Sequence, residues 1–174
     1  QQERYTTEMR EIIISTESGS DLPENLVKKY DIKVIPMHIV MDGISYADGT
    51  ISVDKFTNTI MRQKNPTTSA VNVGEYIDFS HKSAKDIGLR YYASGLFLAG
   101  IFYLSEAEIA IREFEDIYLI DTRNVSGGCT AHLAKTYEIV QAKKDTVTDY
   151  KALADEIEPE QESLLFLHSG KSGL

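Results

Sequence analysis

Short apolar runs alternate with helical patterns along most of this chain. The apolar runs predict buried strands at residues 11–16, 32–40, 89–93, 117–121 and 163–168. Apolar residues at helical spacing predict helices at residues 21–30, 52–62, 73–87, 96–114, 131–143 and 147–157. Strands separated by helices form a mainly parallel sheet with helices on both faces, so we predict an α/β fold.

Particular residues set the ends of these predicted elements. Pro36 has no N–H group for a β-ladder, so the strand at residues 32–40 is predicted to lie at a sheet edge or to bulge there. Asp21 is expected to cap the first helix. Ser94 and Gly95 are expected to end the third strand, with a helix following them.

Composition and charge narrow the function classes. The 174 residues are 42% hydrophobic and 26% charged, which suits one soluble globular domain. The net charge of −9 argues against a nucleic-acid partner, which needs a basic face, and disfavours an anionic membrane surface. The single cysteine, Cys129, fits a reducing compartment. The N-terminal sequence has no apolar signal core, and the most apolar stretch, residues 91–104, is shorter than a membrane span, so we expect a cytoplasmic protein.

Hydroxyl groups follow several predicted strands, at the edge where parallel sheets bind ligands. These loops lie at residues 16–20, 93–95 and 121–128, and a fourth reads Pro66-Thr67-Thr68-Ser69 within a predicted polar loop at residues 63–70. Hydroxyls and backbone N–H groups at helix starts suit a carboxylate or a phosphate. The alternative is that the same residues only cap helices. Composition alone leaves both interpretations open.

Sharper catalytic and metal-binding motifs are missing from the sequence. Neither Ser94 nor Ser126 has both glycines of a nucleophile elbow, and no dinucleotide-binding fingerprint occurs. The ending Ser169-Gly170-Lys171-Ser172 lacks the first glycine of a phosphate-binding loop. The histidines are scattered, so we expect no metal. We also expect no redox cofactor. His38 and Cys129 are expected to be packed structural residues.

Taken in order along the chain, the loops resemble the N-terminal domain of the DegV family of bacterial fatty-acid-binding proteins. Thr16-Glu17-Ser18-Gly19-Ser20-Asp21-Leu22-Pro23 is similar to the family's T-D-S-x-[SA]-D-L-P, with Glu17 where aspartate is usual. Similar patterns follow at Val34-Ile35-Pro36-Met37, at Asp42-Gly43 with Tyr46 and Asp48-Gly49, at Pro66-Thr67-Thr68-Ser69, at Gly74-Glu75-Tyr76, where the family has G-E-F, and at Ile120-Asp121-Thr122 with Ser126-Gly127-Gly128.

The resemblance implies a carrier and not an enzyme. Family members bury one long-chain fatty acid between two domains and present it to a separate fatty acid kinase. A threonine of a T-S loop and a serine of an L-S-G loop hold the carboxylate. Thr68 matches the threonine, and the serine is either supplied by Ser94 or lost at Ala99. The candidate ligand-binding residues are therefore Thr68, Ser69, Ser94, Gly95, Ser18 and Gly100.

The sequence also predicts the domain boundaries and leaves two alternative functions open. On the resemblance, residues 1–10 form an N-terminal tail and residues 11–174 form a single α/β lipid-binding domain without the family's second domain. One alternative is a small α/β enzyme that binds a phosphorylated or carboxylate metabolite, with Glu17 or Asp121 as general base. The other is an interaction module whose surface a partner kinase or regulator reads.

Overall fold

A computed structural model of the chain describes residues 11–62, 65–86, 93–99 and 104–158. The predictions for residues 1–10, for Gly100 and for a strand at residues 163–168 lie outside these ranges. The described strands are β1 (Glu11–Glu17), β2 (Lys33–Ile35), β3 (His38–Met41), β4 (Ile44–Ala47), β5 (Thr67–Ser69), β6 (Ala93–Ala99) and β7 (Ile117–Asp121). The described α-helices are α1 (Glu24–Tyr30), α2 (Val53–Met61), α3 (Val73–Asp86), α4 (Leu104–Ala110), α5 (Gly127–Lys143) and α6 (Tyr150–Ile157).

Four strands form a fully parallel sheet in the order β2-β1-β6-β7. The chain leaves β1 towards β2 on one side and returns later to β6 on the other side of β1. The strand order therefore reverses between β1 and β6, and the crevice at their carboxyl ends is where open α/β sheets bind ligands. The predicted α/β fold with a mainly parallel sheet is confirmed.

Alternate residues of the parallel sheet face two separate cores. On β7, Tyr118 and Ile120 pack with buried residues of α5 and α6, among them Leu133 and Leu153. Ile117 and Leu119 pack on the other face, against α3 and α4. This alternation is the period-two pattern of a strand that is covered on both sides. The predicted placement of helices on both faces is confirmed.

A second, antiparallel sheet of three strands, in the order β4-β3-β5, corrects two predictions. Residues 32–40 do not form one strand, because Pro36 has no N–H group to continue the ladder and separates β2 from β3. Residues 63–70 are not only a loop, since Thr67–Ser69 pairs with β3 as an edge strand. The two sheets are thus joined through the short connection at Pro36 and Met37.

The prediction that Ser94 and Gly95 end the third strand is wrong. Both residues lie in the amino-terminal half of β6, opposite Ile12 and Ile13 of β1, and the strand continues to Ala99. β6 is hydrogen-bonded to strands on both sides, and these two ladders outweigh the low strand propensity of a Ser-Gly pair. The helix expected directly after them begins at Leu104 instead.

Asp21 does not cap α1 as predicted. It adopts a left-handed conformation at φ 50° and closes a short 3₁₀ turn, Ser18–Ser20, through its N–H bond to the Ser18 carbonyl oxygen. Pro23 occupies the N-cap position of α1, where the missing N–H group costs little.

Candidate functional site

The turn Ser18–Ser20 lies at the carboxyl end of β1, beside the point where the strand order reverses. The Met37 N–H donates to the Ser18 Oγ at 3.0 Å, which ties this turn to the connection between the two sheets. The Ser126 N–H donates to the Gly19 carbonyl oxygen at 3.0 Å, and the Thr130 hydroxyl donates to the Ser20 carbonyl oxygen at 2.9 Å. Hydrogen bonds therefore fix the turn both to the connection between the sheets and to the start of α5.

β5 brings Thr68 and Ser69 close to this turn. Ser69 pairs with His38, which directly follows Met37, and Thr68 pairs with Ile39. Directly opposed residues of an antiparallel pair point to the same face, and successive residues point to opposite faces. The Ser69 side chain thus shares a face with His38, whereas Thr68 shares the other face with Ile39.

The first turn of α3 joins both sheets. The Glu75 Oε1 lies 2.8 Å from the His38 Nε2, and the Glu75 Oε2 accepts the Asn72 N–H at 2.9 Å. Asn72 returns a bond from its Oδ1 to the Glu75 N–H at 3.0 Å, which completes a capping box. Burial raises the pKa of Glu75, but the bonds from Asn72 and His38 outweigh it, and the pKa is lowered overall.

The next residue of α3 reaches the parallel sheet. The Tyr76 hydroxyl donates to the Glu17 Oε1, and both side chains are only 3% exposed. A buried carboxylate needs hydrogen-bond donors, and a tyrosine hydroxyl supplies one. Neighbouring residues Glu75 and Tyr76 therefore fix α3 to β3 and to β1. Tyr76 stands where the similar family motif has phenylalanine, and this difference was the only sequence signal for a role of its hydroxyl.

Replacing Glu75 with glutamine tests the contact to His38. Glutamine can still form the capping box, so the substitution removes only the negative charge of residue 75. A glutamate with a lowered pKa stabilises the fold above its unfolded pKa, and this contribution disappears as pH falls through the folded value. We expect Glu75→Gln to lower the free energy of unfolding by about 0.5 kcal/mol at pH 7 and by less at pH 3, where the carboxylate is closer to protonation.

Urea unfolding at both pH values measures this difference. The exposed Glu115 is the control, and Glu115→Gln should change the stability equally little at either pH. A Glu75→Gln loss of the same size at pH 3 and pH 7 would contradict the assignment.

Cys129 is a structural residue, as predicted. The side chain is 2% exposed, and its Sγ lies 3.4 Å from the Thr122 Oγ1. Burial raises the pKa of the Cys129 thiol, the Thr122 contact partly opposes this shift, and the Glu17 charge adds to it. A protonated, buried thiol is a poor nucleophile. His38 is likewise held by Glu75, in line with the expectation of a satisfied strand residue.

The structure brings some of the predicted ligand-binding residues together and separates others. Thr68 and Ser69 are exposed on β5, and Ser18 lies in the turn that bonds to Met37, directly before the strand β3 that pairs with β5. Ser94 is the second residue of β6, and five residues of strand, about 16 Å, separate it from the carboxyl end. Ala99 stands at that end, opposite Asp121 of β7.

Three further features of the described part of the chain were compared with this edge. Within it, no three His, Cys, Asp or Glu residues are placed to hold a metal ion. None of the helices in these ranges is long and apolar enough to cross a membrane. A cleft of about 340 Å³ lies beside β7, between α4 and α6, away from β5.

Comparison with known proteins agrees with the fold. The model of the DegV family matches residues 11–170. A DegV domain-containing protein of Caldanaerobacter subterraneus is 32% identical over 125 residues, covering 69% of this chain and 44% of that protein. A DegV domain-containing 15.5 kDa protein of Staphylococcus aureus is 30% identical over 142 residues, covering 78% of this chain and 99% of that protein.

Solved structures show the same architecture. A fatty-acid-binding DegV family protein from Thermus thermophilus superimposes with a TM-score of 0.72 at 22% identity, covering 88% of this chain and 54% of that one. DegV of Bacillus subtilis, a fatty acid binding protein, gives a TM-score of 0.72 at 17% identity with the same coverage. The chain spans about half the length of most of these relatives. On the family match over residues 11–170, the chain belongs to the DegV family.

Proposed function

We propose that this domain binds a long-chain fatty acid and holds its carboxylate at the Thr68 hydroxyl, beside the carboxyl edge of the parallel sheet. Solved members of the family from Thermus thermophilus, Bacillus subtilis and Thermotoga maritima are described as binding fatty acids. A structure from Eubacterium ventriosum is described as a stearic-acid-binding protein, and one from Ruminococcus gnavus contains vaccenic acid. These relatives supply the ligand class of the proposal.

The placement of Thr68 is the observation that carries the proposal. Thr68 is exposed on β5, and its hydroxyl has no hydrogen-bond partner within the described residues. Its strand is nevertheless fixed, because β5 pairs with β3 and His38 of β3 is held by α3. A hydroxyl that is positioned but unused is available to a ligand carboxylate.

The proposed set differs from the sequence-based set at β6. Thr68 supplies the hydroxyl, and the backbone at Ser69 and the Ser18 turn supply further contacts. Ser94 and Gly95 are not part of the proposed site, because their positions in β6 lie towards the amino edge of the parallel sheet. In this arrangement Ala99 occupies the place of the family's serine.

The residues at the carboxyl edge of the parallel sheet suit the binding of a ligand better than catalysis. A general base must reach the proton that it removes. Glu17 is buried against Tyr76, and the Asp121 Oδ1 accepts the Arg123 N–H at 2.8 Å. A carboxylate has about four lone-pair sites on its two oxygens, so a hydrogen bond from a hydroxyl leaves other sites accessible to a phosphoryl donor. We therefore propose that a separate fatty acid kinase in the cytoplasm takes the bound acid from this carrier.

Thr68→Ala tests the proposed site, with Thr67→Ala as a matched control. The two threonines are neighbours on β5, but they point to opposite faces of the antiparallel sheet. We expect Thr68→Ala to weaken the binding of hexadecanoic acid by about tenfold, the value of one charge-assisted hydrogen bond. Thr67→Ala should change it less than twofold.

Titration of lipid-free protein with the acid gives both dissociation constants. Equal effects of the two substitutions would contradict the site. A wild-type protein that binds no long-chain acid would contradict the function.

A further inference from the structure

A lysine ammonium lies on the same face of the antiparallel sheet as Thr68. The Lys55 Nζ is 4.2 Å from the centroid of the Tyr46 ring and donates to the Tyr46 hydroxyl at 3.1 Å. Tyr46 pairs with Ile39 on β3, and Ile39 pairs with Thr68 on β5. The side chains of Tyr46, Ile39 and Thr68 therefore form one row across the sheet.

The distance along this row suits a carboxylate. Two strand spacings of about 4.8 Å place the backbones of Tyr46 and Thr68 about 10 Å apart. A carboxylate that bridges a hydroxyl and an ammonium spans roughly 7–8 Å between them, from two hydrogen bonds and its own width. The flexible stem of Lys55 covers the remaining difference by a change of rotamer.

Lys55 is also free of carboxylate partners within the described residues. Other lysines of the described chain form ion pairs with Asp or Glu, namely Lys28, Lys33, Lys135, Lys143 and Lys151. The backbone of Lys55 is fixed, since its N–H donates to the Ser52 Oγ that caps α2 at 3.3 Å. The backbone of Lys55 is thus fixed, while its ammonium contacts only the neutral side chain of Tyr46 among the described residues.

We propose that Lys55 is a head-group residue, whose ammonium moves from the Tyr46 hydroxyl to the fatty acid carboxylate held by Thr68. This inference rests on the proposed function and names a contact within that site. The ammonium supplies the second donor to the carboxylate, in the proposed site that has Ala99 and no serine at the end of β6. An ammonium also selects an ionised acid over a neutral lipid of the same length.

Lys55→Met tests the proposal, with Lys29→Met as a matched control. Lys29 also lies over a tyrosine ring, with its Nζ 5.0 Å from the centroid of Tyr30, but it belongs to α1. Both substitutions remove one charge and one cation–π contact. The ligands are hexadecanoic acid and hexadecan-1-ol, which share the chain and differ in the charge of the head group.

We expect Lys55→Met to weaken binding of the acid about tenfold and binding of the alcohol less than twofold. Lys29→Met should leave both within twofold, and Lys55→Arg should keep most of the affinity for the acid. Thermal unfolding of each variant checks the fold.

Three results would overturn the inference. Acid binding by Lys55→Met equal to that of Lys29→Met would exclude a contact of Lys55 with the carboxylate. Equal losses for acid and alcohol would assign Lys55 to packing and not to charge. A wild-type protein that binds the alcohol but not the acid, or neither, would overturn the proposed function and this inference with it.

Discussion

Tyr76→Phe is expected to lower the free energy of unfolding by about 2 kcal/mol. The substitution removes the hydroxyl that donates to the buried Glu17 carboxylate, and loss of a donor to a buried charged group costs about 1–3 kcal/mol. Glu17→Asp should cost a similar amount, because the shorter side chain withdraws the carboxylate from Tyr76.

The double variant should lose less free energy of unfolding than the two single variants lose together. Both residues depart from the family's motifs, in which aspartate and phenylalanine stand at these places, and the structure shows that the two departures touch. Combining Glu17→Asp with Tyr76→Phe restores the family's pair. We expect an interaction energy of about 1–2 kcal/mol, measured by urea unfolding of the four proteins.

Tyr137→Phe is the matched control for the loss of a hydroxyl. Tyr137 is half-buried and stacks on Tyr30, with 4.5 Å between the ring centroids, and no hydrogen bond to its hydroxyl occurs within the described residues. This substitution should change the stability by less than about 0.5 kcal/mol. Additive losses for Glu17→Asp and Tyr76→Phe would contradict a direct coupling between the two side chains.

Ala99→Ser is expected to strengthen fatty acid binding by about tenfold. Ala99 ends β6 at the carboxyl edge, where ligands of such sheets bind, and a serine there would add a hydrogen-bond donor for the proposed carboxylate. One added hydrogen bond to a carboxylate is worth about 1.5 kcal/mol, which is slightly more than tenfold in the dissociation constant. Titration with hexadecanoic acid measures the gain.

Ser94→Ala distinguishes the two candidate positions for the family's serine. Ser94 lies towards the amino end of β6, so its removal should leave the dissociation constant within twofold. A loss of binding in Ser94→Ala, together with no gain in Ala99→Ser, would contradict the placement of the ligand at the carboxyl edge.

The parallel sheet was predictable because its strands are apolar on both faces. β7 shows why, since Ile117 and Leu119 enter one core and Tyr118 and Ile120 the other. β5 was not predictable in this way. Its residues Thr67–Ser69 are exposed, and pairing with β3 alone makes them a strand, so their polar pattern indicated a loop.

The candidate site was only partly predictable. The loop sequences predict ligand-binding roles for Ser18, Thr68 and Ser69, and the structure places Ser18 in the turn after β1 and the other two on β5. The position of Ser94 was misjudged, because a Ser-Gly pair is typical of a turn and its sheet partners are far away in sequence. The contacts of Tyr76 with Glu17 and of Lys55 with Tyr46 could not be predicted from the sequence, because each joins residues of separate elements and no local pattern marks such a pair.

Native mass spectrometry of the chain purified from bacterial cells tests the central claim most directly. The proposed function predicts one bound long-chain fatty acid per chain, identified after denaturation and lipid extraction, with lower occupancy in Thr68→Ala than in Thr67→Ala. A chain that carries no lipid, and that takes up none when long-chain acids are added, would contradict it.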